Sequence, residues 1–117
     1  MNRFKELLVW QKAIDLAVEV YHITEKLPKE ERYGLISQIN RSVISIPSNI
    51  AEGAGRNTSK EFNNFLGIAQ GSSFELDTQL IISNRLNFIS REEYQKVELQ
   101  LEHIQNMIAK LKKSLNV

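Results

Sequence analysis

Residues able to do chemistry are sparse in this sequence, and their spacing argues against catalysis. His22 and His103 are the only histidines. Neither has a second histidine or a carboxylate four residues away, the spacing at which one helix face offers two metal ligands. Both read as ordinary surface or boundary histidines. No HExxH sequence occurs, and Gly53-Ala54-Gly55 has neither the lysine nor the spacing of a phosphate-binding loop. Glu52 and Glu75 can be drawn as a general acid and base, but no nucleophile or metal accompanies them. With no cysteine there is no thiol nucleophile, disulfide or cysteine-type zinc site. The expectation is a non-enzymatic protein without cofactor or metal.

Residues 42–56 differ from the rest. On a helix, Arg41, Ser45, Ser48 and Glu52 fall on one stripe at spacings of four, three and four, with Asn49 beside it. Small polar groups ending in charges suit a groove, a subunit contact or a pore lining. A solvated face carrying a structural proline, Pro47, fits the same pattern. Around the stripe, Arg32, Arg41, Arg56 and Lys60 stand against a single acid, Glu52, a local basic excess of the kind that meets phosphates.

Four amphipathic segments must position these groups. In the last, Tyr94, Val97, Leu101, Ile104, Ile108, Leu111 and Leu115 recur at spacings of three and four. Ser90 and Glu93 form a capping box that starts this helix near Arg91. The first segment carries two adjacent apolar lines, one through Leu7, Trp10, Ile14, Ala17 and Tyr21, the other through Ala13, Leu16, Val20 and Ile23. Two lines suit a helix packed against two neighbours. Pro28 ends it and can open the next, which is expected over about residues 29–53 with Ile36, Ile39, Val43, Ile46 and Ile50 inward.

Pro47 removes a backbone bond to the Val43 carbonyl, so a kink or loosened turn is expected there, with Ser42 or Ser45 placed to bond the freed oxygen. Gly53 and Gly55 are expected to stop the helix through left-handed angles. A Thr58–Glu61 capping box opens the third helix, which runs through Phe62, Leu66, Ala69, Ser73, Leu76 and Leu80. Its lean middle, Gly67 and Gly71 to Ser73, suits close approach of another helix. Short connections between four helices predict an antiparallel up-down-up-down bundle, all-α, kinked near Pro47.

The 117 residues make one domain, 1–117, with 42% hydrophobic and 25% charged content. No run of about 18 apolar residues could cross a bilayer. The start, Met1 to Glu6, is basic and then amphipathic, unlike a secretory signal, so a cytoplasmic protein is expected. Fifteen Lys and Arg against fourteen Asp and Glu leave only +1, without the bulk basic excess of many nucleic-acid binders. The charge is uneven, however: Lys110, Lys112 and Lys113 make the C-terminal end basic, and residues 75–102 are acidic.

Several separated blocks carry a family resemblance. They are Leu8-Val9-Trp10-Gln11-Lys12-Ala13, Tyr33-Gly34-Leu35 with Gln38, Ser45-Ile46-Pro47-Ser48-Asn49-Ile50-Ala51-Glu52-Gly53 with Arg56, and Phe65-Leu66, Ala69, Gly71-Ser72 and Glu75. Over almost its whole length the sequence resembles the four-helix bundle proteins encoded in intervening sequences of bacterial 23S ribosomal RNA genes, also called S23 ribosomal proteins. The resemblance implies an up-down bundle without enzymatic activity. It extends to accessory proteins of diversity-generating retroelements, five-subunit barrels whose basic surface engages nucleic acid and a reverse transcriptase.

A homopentameric ring is therefore expected, with the polar stripe at an inter-subunit or axial surface. Its partner is expected to be RNA or a nucleoprotein, bound through Arg32, Arg41, Arg56 and Lys60 beside Ser45, Ser48, Asn49 and Glu52. The alternative is a protein-interaction scaffold without nucleic acid. Two positions depart from the family pattern: Asn40-Arg41 stands for an arginine pair, and Gln70 for an arginine before Gly71-Ser72. Each replacement removes positive charge. Aromatics such as Phe4 and Phe88 look exposed and suit self-association.

Overall fold

The computed structural model describes residues 3–117; Met1 and Asn2, the first residues of the basic start, lie outside them. A 3₁₀ turn, Phe4–Glu6, leads into α1 (Leu8–Thr24), and a second, Lys29–Glu31, precedes α2 (Leu35–Ala54). Helices α3 (Ser59–Arg85) and α4 (Arg91–Ser114) follow. Each helix packs against its neighbours in the chain and α4 closes against α1, while the diagonal pairs keep apart among the described residues. With short connections, that cyclic order is an antiparallel up-down-up-down bundle measuring 43 × 23 × 20 Å. No helix among the described residues is long and apolar enough to cross a membrane.

Of the two apolar lines on α1, the one through Ala13, Leu16, Val20 and Ile23 is the core line. Trp10 and Ala17 flank it, and Ile14 and Tyr21 remain exposed. The expected α4 stripe buries Val97, Leu101, Ile104 and Ile108. Its capping box is complete: Glu93 N donates to Ser90 Oγ (3.1 Å), and Ser90 N donates to Glu93 Oε1 (2.9 Å). At α3 only half of the expected box forms. Glu61 N donates to Thr58 Oγ1 (3.1 Å), while the Glu61 carboxylate takes the Thr58 hydroxyl (3.0 Å) instead of a backbone N–H.

The start of α2 falls later than residue 29. Pro28 has extended angles and caps only the 3₁₀ turn; the chain then turns through Gly34, and the Glu31 carboxylate accepts the Leu35 N–H (3.3 Å). The helix runs on through Pro47, which is buried. The Ser45 hydroxyl does not serve the Val43 carbonyl. It accepts instead from Asn49 Nδ2 (2.9 Å) and from the Ser72 hydroxyl (2.8 Å).

The glycines work differently from the expectation. Neither Gly53 nor Gly55 has positive φ; Gly53 lies inside α2, where a Cβ would sit 2.7 Å from Phe65 Cβ and 2.9 Å from Phe62 Cδ1. Gly53 is thus the close-approach glycine. Gly71, expected to play that part, faces open space, with nothing within 4 Å of an added Cβ. The left-handed residue is Asn87 (φ 64°). It closes α3 in a Schellman motif, with Phe88 N donating to the Ser83 carbonyl and Asn87 N to the Asn84 carbonyl, both at 2.9 Å. Phe4 and Phe88 are half-buried: Phe4 meets Trp10 edge-on at 5.2 Å, and Phe88 packs against the core.

Polar ties join the helices at their edges. The Tyr94 hydroxyl donates between Asp77 Oδ1 (2.7 Å) and Glu98 Oε2 (3.0 Å). Burial, then these two carboxylates, push its phenol far above the ordinary range. Lys26 pairs with Glu93 (2.9 Å) and Lys96 with Glu19 (3.2 Å). The Ser90 backbone bond, followed by Lys26, holds the Glu93 carboxyl below its ordinary 4.5.

The two glycines should respond to a methyl group with opposite signs. Gly53→Ala lowers stability by about 1–3 kcal/mol through overpacking, overriding alanine's usual helical advantage, while Gly71→Ala raises it by up to about 1 kcal/mol. Urea unfolding midpoints read both signs. Because Glu93 is depressed in the folded state, its stabilisation is present above its unfolded-state pKa and is lost as pH falls through the lower folded value. Glu93→Gln therefore flattens the acid limb of the stability profile, measured by urea unfolding at stepped pH.

Candidate nucleic-acid interface

The antiparallel register divides the charges along the bundle's long axis. Ser45 against Ser72 fixes α2 on α3, Thr24 Oγ1 against Asn40 Oδ1 (3.0 Å) fixes α1 on α2, and Lys112 Nζ on the Asn63 carbonyl (3.2 Å) fixes α4 on α3. One end thus gathers residues 3–12, 52–65 and 110–117, which hold eight Lys and Arg against three Glu. The opposite end, residues 21–36 and 81–94, is balanced at five against five. The middle holds Arg41 and Lys96 against six acids.

At the basic end, Arg56 is held in place by Glu52 (3.0 Å) and lies over the Phe65 ring, 4.9 Å from its centroid. Lys112 is tied to Asn63. Lys5, Lys60, Lys110 and Lys113 are exposed and have no ion pair among the described residues. The N-termini of α1 and α3 also point to this end and add positive partial charge. Lys112 and Lys113, in the last turn of α4, offset the opposite polarity of that helix.

The expected site on the second helix separates into parts. Arg56 and Lys60 sit at the basic end, whereas Arg32 lies at the other, about 30 Å away by the length of a 20-residue helix. Arg41, Ser48 and Glu52 face outward and are exposed. Ser45 and Asn49 are turned to the α3 edge and bonded there, Asn49 Nδ2 also donating to the Ser45 carbonyl (2.8 Å). The Glu52 and Glu75 pair is not assembled: by the Ser45–Ser72 register they stand about 15 Å apart along the axis.

His22 and His103 are exposed in separate grooves between α1 and α4. Glu19 and His22 have the Glu-x-x-His spacing of bundle metal sites, but Glu19 is engaged by Lys96 and by Gln100 Nε2 (2.5 Å). Among the described residues no group of three His, Cys, Asp or Glu could hold a metal ion. What single-segment reading missed is that Lys110 and Lys113 share an end with Arg56 and Lys60. The signal was available in the short connections, since antiparallel helices joined by a few residues bring the end of the fourth beside the start of the third.

Residues 5–110 match the model of a family described as 23S rRNA-intervening sequence protein. A similar solved structure is the crystal structure of a protein of unknown function from the S23 ribosomal protein family of Bacteroides thetaiotaomicron. It is 27% identical, the match covers 91% of this chain and 99% of that one, and the TM-score is 0.84. No curated protein matches.

The hydroxyl pair between α2 and α3 is testable. Ser45→Ala and Ser72→Ala each cost about 1 kcal/mol, and in a double-mutant cycle the pair costs less than the sum of the singles, read from urea unfolding.

Proposed function

The chain belongs to the 23S rRNA-intervening sequence protein family, and on that premise we propose that it is a non-catalytic, homo-oligomeric cytoplasmic module that binds structured RNA on the basic end of its bundle. The observation that carries this reading is the eight-to-three excess of Lys and Arg over acids at that end, with Lys60, Lys110 and Lys113 exposed and unpaired among the described residues. Phosphates supply most of the affinity in such contacts, so free lysines matter more than net charge. Arg56 contributes a fixed guanidinium because Glu52 and Phe65 orient it. Arg32, at the balanced end, has no part in the same surface.

A second reading, a protein-interaction scaffold without nucleic acid, is favoured by large apolar side chains left in solvent, Tyr33 at 89% above all. The two readings separate on one titration. A fluorescent RNA hairpin binds, and Lys60→Glu with Lys113→Glu weakens binding at least about tenfold and lowers the salt slope by about one for each phosphate no longer neutralised. Arg32→Glu leaves binding unchanged. Affinity no better than about 10⁻⁴ M at physiological salt, or equal weakening by Arg32→Glu, rejects the basic end as the RNA surface.

A further inference from the structure

Arg56, at the basic end, is held on two sides. Its Nη2 donates to Glu52 Oε1 at 3.0 Å, and its guanidinium carbon lies 4.9 Å from the centroid of the Phe65 ring. The ring is itself a fixed platform, because Phe65 Cβ occupies the space that the missing side chain of Gly53 leaves open. Held in this way, the side chain still keeps 42% of its surface in solvent. The face of the guanidinium turned away from Phe65 has no hydrogen-bond, ion-pair or ring partner among the described residues.

Such a group is poorly suited to a phosphate and well suited to a base. The Glu52 carboxylate offsets its charge and repels a second anion brought to the same fork, whereas Lys60, Lys110 and Lys113 carry uncompensated charge on flexible stems. What Arg56 offers is a flat, weakly hydrated plane backed by an aromatic ring. Unpaired bases stack on arginine planes as they do on aromatic rings, and every base has a face to offer. In an A-form duplex those faces are covered by neighbouring pairs, and the deep, narrow major groove keeps side chains from the base edges.

Cations for the backbone stand around this plane. Lys60 lies in the first turn of α3, five residues before Phe65. Lys112 Nζ on the Asn63 carbonyl (3.2 Å) brings the last turns of α4, with Lys110 and Lys113, alongside the start of α3. Resting on the RNA part of the proposed function, we infer that the basic end takes an unpaired segment of RNA, a loop or a bulge, with one base stacked on the outer face of Arg56 and the flanking phosphates on Lys60, Lys110 and Lys113. Phe65, the guanidinium and the base then make one stack, which selects unpaired RNA over duplex without reading its sequence.

Fluorescence anisotropy on the full chain compares three RNA probes at one salt concentration: a short unstructured strand, the same strand with its bases removed, and the strand annealed to its complement. The intact strand binds at least about tenfold tighter than its base-free form, and tighter than the duplex even though the duplex carries more phosphates. Arg56→Lys keeps the charge and loses the plane, and it shrinks the advantage of intact over base-free strand at least about fivefold. Phe65→Leu, which removes the ring beneath, acts in the same direction. Far-UV circular dichroism and urea unfolding establish that both variants are folded. Failure of all three probes to bind the wild type sinks the RNA reading itself. Equal binding of the intact and base-free strands, or of strand and duplex, leaves that reading standing and overturns the stacked base; both results come from the wild type and do not depend on a variant folding. An Arg56→Lys protein that is less stable but keeps the full advantage also overturns it, since Glu52, Arg56 and Phe65 are then only a staple of the α2–α3 turn.

Discussion

The close approach of α2 to α3 governs this molecule. It depends on the absent side chain of Gly53, against which Phe62 and Phe65 rest, and on the small hydroxyls of Ser45 and Ser72, which touch at 2.8 Å. Bulkier residues at any of these positions would force the two helices apart. Because the pair sits tight, half of the polar stripe on α2 becomes an internal edge, with Asn49 and Ser45 bonding each other and the neighbouring helix. Pro47 is accommodated because the helix around it is held from outside by packing and does not rely on its own ladder of backbone bonds.

The apolar periodicity made the four helices and their order legible, and Ser90 with Glu93 marked the start of α4. Those signals are local, and local physics produces them. Three things were not legible. Periodicity cannot rank two seams on one helix, so of the two apolar lines on α1 only the bundle showed that Ala13, Leu16, Val20 and Ile23 make the core line. A glycine states what it permits, not which permission is used: Gly53 serves close approach, Gly71 serves nothing in the monomer, and the left-handed turn fell to Asn87. The stripe from Arg41 to Glu52 was drawn correctly on its own helix, but its neighbour across the groove, Ser72, lies 27 residues from Ser45 in sequence.

Charge follows the same logic. The net value of +1 hides a basic end, a balanced end and an acidic middle, and only the antiparallel register brings the members of each group together. Within the middle, several carboxylates are already engaged, Asp77 and Glu98 by Tyr94 and Glu19 by Lys96. That leaves Arg41, Asp15, Glu75 and Glu102 exposed and in no ion pair among the described residues.

The tight α2–α3 pair also bears on how the chain reaches this state. Only residues 55–58 separate the two helices, so closing that hairpin costs little loop entropy and yields the most extensive helix packing in the bundle. The docking of α1 on α4, by contrast, joins the two ends of the chain. A chain with this distribution gains its local hairpin early and its end-to-end closure late. Among the four helix contacts the α1–α4 seam therefore carries the largest closure cost, and the α2–α3 hairpin the smallest.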